Sequence, residues 1–110
     1  MTIDLALEYI PRRMKELGYG DEYHLQLRHL VLRPHERRKV HAINQLYILI
    51  EPSEMLCVKS DSGVFDLTKD LYNELQYEHQ GNIRLRNYSI LPLHARFIQV
   101  IPKMKDHAGN

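Results

Sequence analysis

Apolar and polar residues alternate on both sides of the dipeptide Gly81-Asn82. Leu75, Tyr77 and His79 occupy every second position before this pair, and Ile83 and Leu85 do so after it. A period of two is typical of β-strands, and a glycine-containing pair between two such runs is typical of a tight turn. The pattern therefore predicts a β-hairpin. The next apolar run, residues 94–101, predicts a return strand that ends at Pro102.

Residues 2–17 show helical spacing instead. Apolar residues recur three and four positions apart and would form one stripe along a helix: Ile3, Leu7, Ile10, Met14 and Leu17. Thr2 is a suitable N-cap, and Gly18 is a natural stop. Pro11 has no amide hydrogen, so it predicts a kink in this helix or a split into two short pieces.

The rest of the chain predicts further strands. Residues 23–33 form a first strand, with a bulge near His29 where the apolar parity changes, and the polar run 35–39 connects it to the next. Residues 45–51 are apolar on both parities, which predicts a central strand buried on both faces. Residues 55–59 pair with 64–67 as a second hairpin, and residues 68–73 form a short helical or looped link.

These elements predict an α+β or mainly β fold. The N-terminal helix packs on an antiparallel β-sheet or small β-sandwich of about six strands. A single domain is expected over residues 1–102, with a polar C-terminal tail over residues 103–110.

The composition restricts the cellular compartment in which we expect the protein more than it restricts its function. The chain has 15 basic and 14 acidic residues and a net charge of +1, so its overall charge does not attract nucleic acid or an anionic membrane. Cys57 is the single cysteine, which rules out an intramolecular disulfide and fits a reducing compartment. The sequence has no signal-peptide pattern and no apolar run long enough to span a membrane. We expect a cytoplasmic protein, or one that is assembled inside a cell, without a membrane partner.

The sequence contains no recognisable catalytic, metal-binding or phosphate-binding motif. We therefore predict a non-enzymatic protein with no cofactor and no metal. A small enzyme with a centre at His79 and Glu78 is a further hypothesis, and it requires a concave pocket around both residues. The hairpin instead places Glu74 and Glu78 on one polar face with Arg84 and Arg86, where cross-strand ion pairs would satisfy them.

Basic residues give the clearest signal for a partner. They occur in the run 33–39, in the helix and in the tail, and they are Arg12, Arg13, Arg33, His35, Arg37, Arg38, Lys39, Lys103 and Lys105. Arginine suits protein interfaces because it stacks and forms bidentate pairs. We predict that these residues contact other protein subunits in a homo- or hetero-oligomer. The alternative is a small nucleic-acid-binding module in which Arg12, Arg13, Arg37, Arg38 and Lys39 meet phosphates.

Residues 74–102 combine a glycine-centred hairpin, a strand that ends in Asn-x-Ser and a final strand that ends in Ile-Pro. This segment resembles small, uncharacterised β-rich virion proteins of tailed bacteriophages. The resemblance implies a structural role in a head, neck or tail assembly, and it carries no functional residues over to this chain. We therefore expect a structural interaction protein within a virion.

Overall fold

The computed structural model describes residues 1–51, 55–65 and 74–103. Three expectations lie outside these ranges: the link over residues 68–73, the last two residues of the second hairpin, and the tail beyond Lys103 with Lys105. Within the described ranges, no helix has both the length and the apolar character needed to cross a membrane.

An α-helix, α1 (Ile3–Glu16), begins the chain. The Thr2 hydroxyl accepts a hydrogen bond from the Leu5 amide at 3.2 Å and caps the helix as predicted. The predicted split at Pro11 is wrong, because α1 is one continuous element that contains the proline. Ile10 and Met14, on either side of Pro11, are both buried against the sheet, so both halves of the helix pack on the same cluster.

The buried stripe of α1 differs from the predicted one. Ile10 and Met14 are buried as expected, but Ala6 and Tyr9 complete the buried face. The other three predicted members, Ile3, Leu7 and Leu17, remain exposed. Tyr9 lies on the face that packs on the sheet, where its hydroxyl donates to the buried carboxylate of Glu78.

Six strands of the described chain form one antiparallel sheet. They are β1 (Tyr23–Leu32), β2 (Arg37–Ile50), β3 (Leu56–Lys59), β4 (Val64–Phe65), β5 (Glu78–Asn87) and β6 (Leu93–Pro102). Their order is β1-β6-β2-β5-β3-β4, and every pairing is antiparallel. The protein is thus an α+β fold with mostly β content. The second hairpin, the buried central strand (the second half of β2) and the final strand are confirmed.

The prediction of a β-hairpin at Gly81-Asn82 is wrong. Residues 78–87 form one strand, β5, and residues 74–77 before it form a 3₁₀ turn. Gly81 has a φ of 75°, a conformation that suits a tight turn, but here it serves a bulge, where β5 faces an irregular stretch of β2. The sequence pattern that predicts a turn therefore belongs to a bulge.

The predicted bulge near His29 is also wrong. β1 pairs with β6 without interruption from Tyr23 opposite Pro102 to Leu32 opposite Leu93. The apolar parity changes because the first half of β1 presents leucines to one face of the sheet and the second half presents them to the other. Likewise, the run 35–39 is only partly a connection, since Arg37 already begins β2.

Two hydrophobic clusters lie on opposite faces of the sheet. The outer cluster packs the buried face of α1 against Leu46, Ile48, Ile50, Ile98 and Val100. The inner cluster takes side chains from all six strands: Leu32, Tyr47, Leu49, Val58, Phe65, Leu85 and Phe97 are among them. One cluster that contains buried residues of both edge strands, β1 and β4, indicates that the sheet curls around its inner face.

Asn87 holds the curled sheet together at one end. Its side-chain amide donates to the carbonyl oxygens of Leu32 at 3.3 Å, Arg33 at 3.0 Å and Leu91 at 2.8 Å. Asn87 lies at the end of β5, whereas Leu32 ends β1, and two other strands separate β5 from β1 in the sheet order. These bonds therefore connect the end of β5 with the end of β1 and with the loops that follow β1 and β5.

Candidate functional site

The outer faces of β2, β5 and β3 carry a group of aligned cations. Arg37 lies opposite Arg86 and Lys39 opposite Arg84, while on the other side of β5 Lys59 also lies opposite Arg84. The inward residues between them, such as Val58 and Leu85, belong to the inner cluster. Alternation along each strand therefore turns all five cations outward. We call this set the basic surface: Arg37, Lys39, Lys59, Arg84 and Arg86.

Within the described residues, no carboxylate lies within ion-pair distance of any cation of the basic surface. Arg13, Arg38 and Arg96, by contrast, each form an ion pair with a carboxylate. Like charges directly opposite each other in a sheet are destabilising. The inner cluster must therefore hold these strands in register, and an anion placed on the outer face would relieve the repulsion.

The basic surface is concave. A depression of about 750 Å³ lies over it, and buried Cys57 contributes to its lining. Tyr88 stands at one end, where the Arg86 guanidinium carbon lies 4.4 Å from the centre of the Tyr88 ring. Tyr88 is 44% exposed. A stacked aromatic ring thus borders two rows of positive charges.

The other residues of the predicted basic run lie at the Tyr88 end: Arg33 and His35 in the loop before β2, and Arg38 at the start of β2. Arg38 donates to the Glu36 carboxylate at 2.9 Å and to the Val31 carbonyl at 2.8 Å. The Arg33 amide donates to Glu36 at 2.7 Å. These two hydrogen bonds, the Arg33 amide first, lower the pKa of Glu36 below its ordinary value. His35 has a φ of 59° and is tied by its amide to the Ser89 carbonyl. The charge of Arg38 is therefore neutralised by Glu36, whereas Arg37 and Lys39 point outward on the basic surface.

Arg12 and Arg13 do not join the basic surface. Arg13 binds the Glu78 carboxylate through Nε at 2.7 Å and through its terminal nitrogen at 3.1 Å. That hydrogen bond, more than any other factor, raises the pKa of Arg13. Arg12 lies over the Tyr9 ring. Glu78 is six positions from Arg84 along β5, so the helical arginines sit at the opposite end of that strand.

Lys103 lies in a third region. It borders a cavity of about 680 Å³ together with the Gly18–Gly20 turn and the β2 bulge, and its amide donates to the Glu22 carbonyl. The structure therefore distributes the predicted partner-binding residues over separate regions: the helix, the loop, the basic surface and the Lys103 cavity.

Glu78 and His79 do not form a shared centre. They are neighbours on β5 and so face opposite sides of the sheet, both are buried, and neither lines the depression over the basic surface or the Lys103 cavity. The predicted pairing of Glu78 with Arg84 and Arg86 is wrong, since all three lie on the same strand and Glu78 binds Arg13. His79 is 2.8 Å from the Ser60 hydroxyl, and burial lowers its pKa to about 4.

Sequence reasoning missed Lys59, Arg84, Arg86 and Tyr88 as members of a site. A signal was present, because Arg37 and Lys39, and likewise Arg84 and Arg86, sit at alternate positions of their strands. Only the strand order reveals that these alternations share one face. Comparison of the chain with protein-family models, with curated proteins and with solved structures finds no match.

Proposed function

We propose that the protein binds nucleic acid through the phosphate backbone, on the basic surface. The observation that carries the proposal is the alignment of five cations across three strands without a carboxylate partner among the described residues. The chain as a whole has a net charge of only +1, so its attraction for phosphates is local. Arginine and lysine at such a surface bind phosphates and release counterions.

Binding through phosphates has a measurable consequence in its dependence on salt. Each phosphate neutralised contributes about 0.7 to the slope of log K against log salt for a single strand and about 0.9 for a duplex. The number of cations on the basic surface limits how many phosphates it meets directly. We therefore expect a slope of roughly −3 to −4 for a single strand.

The test is the fluorescence anisotropy of a labelled oligonucleotide, titrated with protein across a salt series. The double variant Lys39→Gln with Arg84→Gln removes one opposed pair of the basic surface. It should weaken binding at low salt and make the slope shallower by about 1.4, two phosphate contacts. A matched control, Lys15→Gln with Arg28→Gln, removes the same charge elsewhere. Absence of binding at low salt, or an equal loss in the control, would overturn the proposal.

A second candidate function is self-assembly as an interaction module, and the free edge of the sheet favours it. β1 has only β6 as a neighbour among the described strands. Leu25 is 45% and Leu27 62% exposed on its outer face. Antiparallel pairing of two copies about Gln26 would place Leu25 of each copy opposite Leu27 of the other. This self-complementary edge supports a second copy of the chain as the occupant.

Light scattering at increasing protein concentration tests this candidate. Leu27→Lys should shift the protein toward monomer, while Val64→Lys, an exposed aliphatic residue on the opposite edge strand, should not. A chain truncated after Pro102, and so without residues 103–110, tests the predicted role of the tail in the same measurement. A monomer at every concentration in the unaltered chain would refute the candidate. Membership of a phage virion stays a prediction based on the resemblance.

A further inference from the structure

We infer that the ligand of the basic surface is a single strand, and that Tyr88 stacks on one of its bases. This inference rests on the proposed function and adds the form of nucleic acid that is recognised. It starts from Tyr88, which follows directly after β5 at the end of the basic surface and lines the same depression as the cations.

The backbone of Tyr88 is held in place before any ligand binds. Its amide donates to the Met55 carbonyl at 2.8 Å, and its neighbour Asn87 is buried and bonded to the surrounding loops. The Arg86 guanidinium lies over the ring. Because Tyr88 is 44% exposed, it retains surface on which a base can stack. A base would extend an existing stack of arginine and tyrosine.

The cations are arranged so that phosphates of the same strand can be met together. Arg37 and Arg86 form the row nearest Tyr88, and Lys39, Arg84 and Lys59 form the next row, two residues further along the strands. Two residues of a β-strand span about 7 Å, and neighbouring strands lie about 5 Å apart. A base on Tyr88 would thus have its own phosphate beside the first row and the following phosphates beside the second.

A duplex fits this surface less well than a single strand. The bases of a duplex are already stacked, so placing one on Tyr88 requires unstacking it, at a cost of a few kcal/mol. A single strand offers the face of every base without that cost. Proteins that read the major groove insert a helix or a two-stranded ribbon, whereas the basic surface is a depression across three strands.

The experiment compares three labelled probes of equal length, each about ten nucleotides, a length within the usual range for such sites. They are oligothymidine, an abasic oligonucleotide with the same phosphates, and a duplex. Tyr88→Ala should weaken oligothymidine binding by about tenfold or more and leave abasic binding within about twofold. Tyr88→Phe should retain oligothymidine binding. Tyr19→Ala, at an exposed tyrosine outside the basic surface, is the control.

The outcomes separate the inference from the proposed function. If Tyr88→Ala binds oligothymidine normally while the Lys39 and Arg84 double variant does not, nucleic-acid binding stands and the stacking role fails. Duplex binding as tight as oligothymidine binding would overturn the single-strand preference. If Tyr88→Ala weakens the abasic probe equally, Tyr88 acts only by positioning Arg86, and the inference fails. A polyglutamate peptide that binds as tightly as oligothymidine would assign the basic surface to an acidic protein and refute both proposals.

Discussion

Removing the guanidinium of Arg13 should destabilise the fold strongly, because it would leave a buried carboxylate without its cation. Glu78 is 1% exposed and accepts from the Tyr9 hydroxyl at 2.6 Å and from two nitrogens of Arg13 at 2.7 and 3.1 Å. Arg13→Gln removes the charge and the bidentate contact, and among the described residues Tyr9 then remains as the donor to Glu78. The carboxylate would then keep most of its desolvation cost without compensation.

The magnitude follows from the burial of the two partners. Breaking a buried pair by removing one partner costs about 3–5 kcal/mol of unfolding free energy. The Arg13 side chain is 25% exposed, so water can partly replace it. We therefore expect a loss of about 2–4 kcal/mol for Arg13→Gln. Arg13→Lys keeps the charge but not the forked geometry, and its loss should be intermediate.

Urea unfolding followed by circular dichroism measures these differences. Lys15→Gln, which removes the same charge from an exposed position on the same helix, should change the unfolding free energy by less than about 0.5 kcal/mol. The double variant Arg13→Met with Glu78→Met should recover most of the loss, because it removes the buried charge together with its partner. A loss below about 0.5 kcal/mol for Arg13→Gln, or a double variant less stable than the single one, would refute this reasoning.

Three further predictions concern the core and its closure. Burial lowers the pKa of His79 to about 4, so the unfolded state binds the extra proton. The contribution of His79 to the unfolding free energy should therefore be complete above about pH 6.5 and should decline toward pH 4. The decline between pH 7 and pH 5 should be about 2 kcal/mol. Urea titrations should show a smaller decline in His79→Gln. Asn87→Ala leaves buried carbonyls without a donor and should cost about 2–3 kcal/mol of unfolding free energy in the same assay. Gly81→Ala should cost about 1–2 kcal/mol, because φ is positive and the Asp61 side chain occupies the space of a Cβ; adding Asp61→Ala should restore part of this loss in thermal melts.

The parts of the fold that the sequence could predict are those with one dominant local signal. The second half of β2 is apolar on both parities, and it is the central strand. Ser60 to Gly63 is a polar run between two apolar ones, and it is the predicted hairpin. In both cases the local pattern and the tertiary packing favour the same structure.

Gly81 shows where local pattern is insufficient. A glycine at positive φ serves equally in a tight turn and in a bulge, and the alternation around it is the same in both. The partner strand decides which of the two structures forms, and this strand lies about forty residues away in sequence. The wrong hairpin also affects the prediction of the site. A hairpin would pair Arg84 and Arg86 with glutamates, so the sequence gives no reason to expect them to be free cations.

The bulge in β2 is what creates the basic surface. Ala42 lies opposite Gly81 and Tyr47 opposite His79, so β2 passes four residues while β5 passes one. The excess of three residues is odd, and an odd excess exchanges the two faces of a strand. Tyr47 and Leu49 face the inner cluster after the bulge, whereas Ala42 and its partly buried neighbour Val40 face it before the bulge. With unbroken alternation, Arg37 and Lys39 would point into the core. Asn44, at a φ of 57°, lies within this irregular stretch. The fold and the proposed function therefore depend on the same bulge in β2. The bulge places apolar residues of both parities in one core, and it places the cations that alternate with them on one exposed face.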